Sequence, residues 1–217
     1  MAKTEKFEED LNFLLSKMGQ GMQGAAWDKL NTLKERLMQL HRANIVKINH
    51  SVMELVCAKH LVLKGYEATL EHPLDGGLTC DLYATKGYGS LIVEIETGFV
   101  PPEHALDPTA YLSARIASKI VRYSNHTDKF ALGIPPYYIL QIPPVFGTPP
   151  RQRKTEDLES IKRLCDRYYQ NPPVSIEEVK NARLHAVYVI DVDAAAIQEF
   201  SPETYMTKTF ASGSAVT

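Results

Sequence analysis

Residues 79–85 and 90–97 constrain the fold of this chain most. Each is an apolar, strand-forming run, and the link between them, Lys86-Gly87-Tyr88-Gly89, is short and glycine-rich. Such runs pair as neighbouring strands around a tight connection. Three carboxylates, Asp81, Glu94 and Glu96, stand inside them. Strand side chains alternate faces, so Ile92, Glu94 and Glu96 share one face and Leu91, Val93 and Ile95 the other. Thr79, Asp81 and Tyr83 likewise share a face. Asp81 is then expected opposite Glu94, with Cβ atoms about 5 Å apart. Two bare carboxylates at that range repel each other, and the repulsion raises a pKa. A hard divalent cation, Mg²⁺ or Mn²⁺, removes the conflict, polarises a phosphate and turns bound water into a nucleophile.

The flanking pattern supplies the rest of an α/β domain. Apolar residues at helical spacing predict helices over 5–18 and 27–42, and the glycines between Gly19 and Gly24 break the pattern. These two helices read as an N-terminal extension over 1–49, a helical hairpin or a subunit interface. A third helix is predicted over 50–64 and ends at Gly65. It carries Glu54 one turn after His50, and in an α-β-β-β order it can project Glu54 toward the metal. A strand at 66–72 and an Asp75-Gly76-Gly77 turn lead into the hairpin. Asp107 as N-cap and Pro108 at the first helical position open a helix to about 124. Strands are predicted at 130–134, 138–142 and 184–192, with a helix at 155–170. The expected domain is 50–210, followed by a disordered tail at 211–217.

Composition excludes several classes. Among 217 residues there are three cysteines, far apart, so neither a disulfide framework nor a cysteine-based zinc site is suggested. With no membrane-length apolar run and no signal-peptide pattern, the expected setting is reducing and cytoplasmic, without a membrane partner. The net charge of −2 does not suit a general nucleic-acid binder. Its distribution is more informative: residues 50–110 hold 9 acidic and 3 basic groups, and residues 111–170 hold 10 basic and 5 acidic. An acidic centre followed by a basic block suits a metal pocket beside a phosphate-binding surface, although charge also fluctuates along any chain. Walker A, His-Glu-x-x-His and Gly-x-Ser-x-Gly patterns are absent. Gly19, Gly21 and Gly24 follow dinucleotide-loop spacing in part, with no strand before them. His41 and His50 read as too isolated for a zinc site.

The order of elements over 50–142, with Glu54 on the first helix, Gly65-Tyr66 ending it, Asp81 on the second strand and Glu94-Ile95-Glu96 on the third, resembles the PD-(D/E)xK nuclease superfamily. The nearest likeness is to archaeal Holliday junction resolvases and small nucleases of archaeal viruses. The resemblance implies a restriction-endonuclease-like core, with a central mixed sheet flanked by helices. It implies a metal-dependent endodeoxyribonuclease in which Asp81 and Glu94 bind the ion and Glu54 assists. It also implies DNA, branched in those relatives, as substrate, and a host-cell cytoplasm if the source is viral. The chain departs from the family at Glu96, where the pattern has a lysine that positions or activates the attacking water. Three readings stay open. Glu96 serves as ligand or water-orienting base with catalysis carried by the metal; Lys119, on the following helix, replaces the lysine; or the chain is an inactive nucleic-acid-binding or assembly protein that kept the fold. A homodimer fits the need to cut two strands, and residues 5–42 offer apolar faces for it.

Arg115, Lys119, Arg122 and His126 fall at i, i+4, i+7 and i+11, one stripe of the helix after the third strand, and Tyr111 continues it. Such cations neutralise phosphates without reading sequence. Arg151, Arg153 and Lys154, in a proline-rich loop, form a second basic group. Either cluster also reads as an ordinary solvated surface.

Overall fold

A computed structural model describes residues 3–19, 22–46 and 48–213, with side chains described from 6 to 209 apart from those of 48 and 49. Three helices come first: α1 (Lys3–Met18), α2 (Ala25–Arg42) and α3 (Ile48–Leu63). β1 (Glu67–Pro73), β2 (Thr79–Lys86) and β3 (Gly89–Ile95) follow, then α4 (Pro108–Tyr123) and β4 (Lys129–Ile134). The chain closes with α5 (Thr155–Tyr168), α6 (Ile176–Asn181), β5 (Ala186–Asp191), β6 (Ala196–Phe200) and α7 (Pro202–Gly213). The six strands form one mixed sheet in chain order. β1–β2, β2–β3 and β5–β6 pair antiparallel, while β3–β4 and β4–β5 pair parallel. The fold is α/β, with helices on both faces of the sheet. Among the described residues no helix is long and apolar enough to cross a membrane.

Local chemistry sets the boundaries around the site. Gly65 adopts φ +82, which lets Tyr66 N–H reach the Leu61 carbonyl and Gly65 N–H the Val62 carbonyl. That paired arrangement satisfies carbonyls left open at the end of α3 and aims the chain into β1. Lys86 pairs with Gly89 across a two-residue connection, and Gly87 supplies the positive φ at its first position.

Alternation along β3 divides the core into two. Leu91, Val93 and Ile95 pack with Leu11, Leu30, Leu37, Leu55 and Leu61 under α1, α2 and α3. Ile92 packs on the opposite face with Ile116, Ile120, Phe130 and Ile161 under α4 and α5. The apolar stripes of α1 and α2, expected to form a helical hairpin or a subunit interface, pack within the chain, where Leu11, Leu30 and Leu37 are fully buried.

Two local expectations are corrected, and that for Asp107 holds in position but not in hydrogen bonding. Residues 138–142 form no strand: Pro135, Pro136, Pro143 and Pro144 flank them, and prolines donate nothing to a ladder. Asp107 occupies the cap position of α4 without a capping hydrogen bond, because its carboxylate accepts from Tyr168 and Arg167 instead. Residues 211–213, placed in the tail, end α7; residues 214–217 lie outside the described residues.

Candidate metal centre

The centre lies where the sheet opens around Asp81. The β2–β3 ladder runs from Lys86–Gly89 to Leu82–Val93. Past that pair two carboxylates take over the backbone donors: Asp81 N–H donates to Glu94 Oε1 at 2.9 Å, and Ile95 N–H donates to Asp81 Oδ2. β3 meanwhile keeps to β4, with Glu96 N–H donating to the Gly133 carbonyl at 2.7 Å. On the other side the β1–β2 ladder passes from Leu70–Leu82 to His72–Cys80, stepping over Glu71 and Asp81. Glu71 has φ +48 there, a left-handed conformation uncommon for a residue with a side chain.

α3 closes this opening. His50, Glu54 and Asp81 each offer one ligand atom, all within 4.8 Å of one another. Glu54 is fully buried, and neither of its carboxylate oxygens has a hydrogen-bond partner among the described residues. Burial first, then the charges of Asp81, Glu71 and Glu94, push its carboxyl well above the ordinary range. Glu94 rises to about 8 through burial and Asp81, with Lys119 opposing. Glu71 rises to about 7 for the same two reasons. Burial outweighs Asp81 at His50 and lowers its pKa, which keeps the imidazole neutral with a lone pair to offer.

Beside the cluster α4 delivers two cations. Lys119 Nζ lies 3.0 Å from Glu94 Oε2, 2.6 Å from Glu96 Oε1 and 3.2 Å from the Ile95 carbonyl. Arg115 Nε donates to both oxygens of Glu96, at 3.0 and 2.9 Å. Burial alone would raise the Glu96 carboxyl, but Lys119 and Arg115 outweigh it and hold the group below the usual range. Burial would lower Lys119, but Glu94 and Glu96 outweigh that and keep it protonated. Of the acids expected as ligands, Glu54 and Asp81 converge with His50, while Glu94 and Glu96 lie beside that cluster, both oxygens of Glu96 engaged by cations.

The remaining site expectations separate by partner. Tyr111 is buried, stacks on His104 with ring centroids 4.3 Å apart, and meets Tyr168 edge-on, so it is no exposed phosphate contact. Arg153 is spent on structure, donating to the carbonyls of Thr148, Val179 and Lys180 at 2.9 Å each. Arg122 donates to the Pro172 carbonyl at 2.6 Å. Arg151 and Lys154 are exposed.

Sequence reasoning missed His50 and Glu71. The i, i+4 spacing of His50 and Glu54 carried the first signal, because it places both on one helix face. For Glu71 the sequence held none, since its position depends on a distorted backbone. No protein-family model, curated protein or solved structure matches this chain.

Proposed function

We propose that the chain has a restriction-endonuclease-like core and acts as a divalent-metal-dependent endodeoxyribonuclease. The order α3-β1-β2-β3-α4-β4 in a mixed sheet supports the fold reading. One observation carries the function. A fully buried, unpartnered Glu54 converges with His50 and Asp81 beside Glu94, within reach of a protonated lysine. Buried polar groups are otherwise hydrogen-bonded, so Glu54 is suited to bind a cation. Glu54, Glu71, Asp81, Glu94 and Glu96 gather beside two cations, Lys119 and Arg115, an excess of acidic groups that a divalent ion would offset.

His50, Glu54 and Asp81 would hold the ion, with Glu94 alongside. Bound Mg²⁺ or Mn²⁺ supplies a polarised phosphate and an activated water. Lys119 keeps its proton and offers positive charge where a pentacovalent phosphate gathers negative charge. Glu96 anchors Lys119 from below, which assigns the family's lysine role to α4 rather than β3. Branched DNA as substrate and a homodimer extend the same reading.

A second reading, a nucleic-acid-binding protein without activity, is favoured by the pairing of Lys119 with both Glu94 and Glu96, which compensates those acids without an ion. Labelled linear and four-way DNA, incubated with Mg²⁺ or Mn²⁺, separates the two readings. Cleavage by the wild type, reduced at least about 100-fold in Asp81→Ala, is expected for an enzyme that depends on this centre. Binding without cleavage in either metal would establish the second reading, and equal cleavage by both proteins would remove this site from the chemistry.

A further inference from the structure

Behind Lys119, on the α4 side of the sheet, lies a pocket of about 240 Å³ lined by Leu78, Arg115, Ser118, Lys119, Arg122, Tyr123 and Tyr169. Three cations line it and no carboxylate does. Their donors are unequally committed. Lys119 is occupied by Glu94, Glu96 and the Ile95 carbonyl. Arg115 uses Nε on Glu96 and one terminal nitrogen on the Tyr111 hydroxyl, which leaves donors on its guanidinium edge. Arg122 binds the Pro172 carbonyl through one terminal nitrogen, while its Nε is buried without an acceptor among the described residues. A buried charged donor without an acceptor is costly unless a ligand completes it. Arg115, Ser118 and Arg122 recur at i, i+3 and i+7, which sets them along one face of α4.

We propose that this pocket is a phosphate site, formed chiefly by the guanidinium groups of Arg115 and Arg122. Guanidinium forks match the tetrahedral oxygens of phosphate and bind them through paired, charge-assisted hydrogen bonds. Lys119 lines the pocket and also touches Glu94, so a phosphate held here sits one side chain from the metal centre. In a nucleic-acid strand it would be a neighbour of the phosphodiester that reaches the ion. That last placement rests on the nuclease reading; the phosphate site itself does not.

The test uses the full chain without metal, titrated with inorganic phosphate and followed through the side-chain Nε–H resonances of arginine. Saturable binding that shifts the Arg122 Nε–H signal is expected. Arg122→Gln should weaken that binding at least tenfold, while Arg36→Gln, on the exposed face of α2, should leave it unchanged. Phosphate that fails to bind saturably, or that leaves the Arg122 signal unmoved in the wild type, would overturn the site. Oligonucleotides with a 5′-phosphate or a 5′-hydroxyl then identify the source. A 5′-phosphate preference lost in Arg122→Gln marks a strand end. Equal affinity of both, weakened by the same substitution, marks an internal phosphodiester. DNA affinity untouched by Arg122→Gln would exclude the pocket from nucleic-acid binding. Because phosphate binding is read without metal, loss of the nuclease reading leaves this result standing, and the reverse also holds.

Discussion

Glu54 is buried with two unpartnered oxygens, and it stands near the charges of Asp81, Glu71 and Glu94. Without an ion its least costly state is protonated, because burial disfavours the carboxylate. The sign of the pH effect follows. The folded pKa lies above the ordinary value of 4.5, so the folded protein holds this proton more tightly than the unfolded chain does. Glu54 therefore contributes its full stability below about pH 4.5 and loses it as the pH rises through the elevated folded value. In metal-free buffer the unfolding temperature of the wild type should fall relative to Glu54→Gln between pH 5 and pH 8. Parallel curves across that range would show that Glu54 does not carry a raised pKa. Part of this residue-scale picture was legible. Alternation placed Glu94 with Ile92, and the helix phase placed Glu54 toward the sheet. His50 was passed over although Glu54 lies one turn on, because the third member of the cluster, Asp81, is distant in sequence.

Helix α4 and strand β3 act as a unit at the scale of elements. On the proposed nuclease reading, Lys119 of α4 would stand in for the lysine of the superfamily pattern, and Glu96, at that lysine's position, pairs with it. Restoring the family pattern by Glu96→Lys would set a third cation against Lys119 and Arg115 in a buried space. Breaking a buried pair and leaving like charges together costs roughly 3–5 kcal/mol. Glu96→Lys should therefore lower stability by about that amount rather than raise activity, and adding Lys119→Glu should recover part of the loss. Denaturant unfolding of the three proteins measures this. A fully stable Glu96→Lys protein would mean that the pairing does not organise the site. Most elements here were readable, since Gly65, Gly87 and Pro108 mark turns and helix starts by backbone chemistry alone. β6 was not, because Ala196–Phe200 is a short edge strand whose residues are mostly exposed. α6 was missed although its capping box, Ser175 with Glu178, is a sequence signal. The apolar run at 138–142 misled because its composition suits a strand while its flanking prolines do not.

For the whole molecule, two cores on opposite faces hold one sheet, and the centre sits at the break in that sheet. α1 and α2 cover the face that α3 shares, so the N-terminal helices support the helix carrying His50 and Glu54. The uneven charge along the chain becomes spatial at this break. The acids of α3, β1, β2 and β3 gather around Asp81, and the cations of α4 close over them. This arrangement makes ion binding the property on which the functional reading depends. A ligand that binds only the folded state stabilises it, by about 2.7 kcal/mol at a hundred times its dissociation constant. Calorimetric titration of Mn²⁺ into the full chain, beside Asp81→Ala, tests this most directly. One ion per wild-type chain, with binding lost in the variant, is the predicted result. No saturable binding by the wild type, or equal binding by both proteins, would contradict the metal centre.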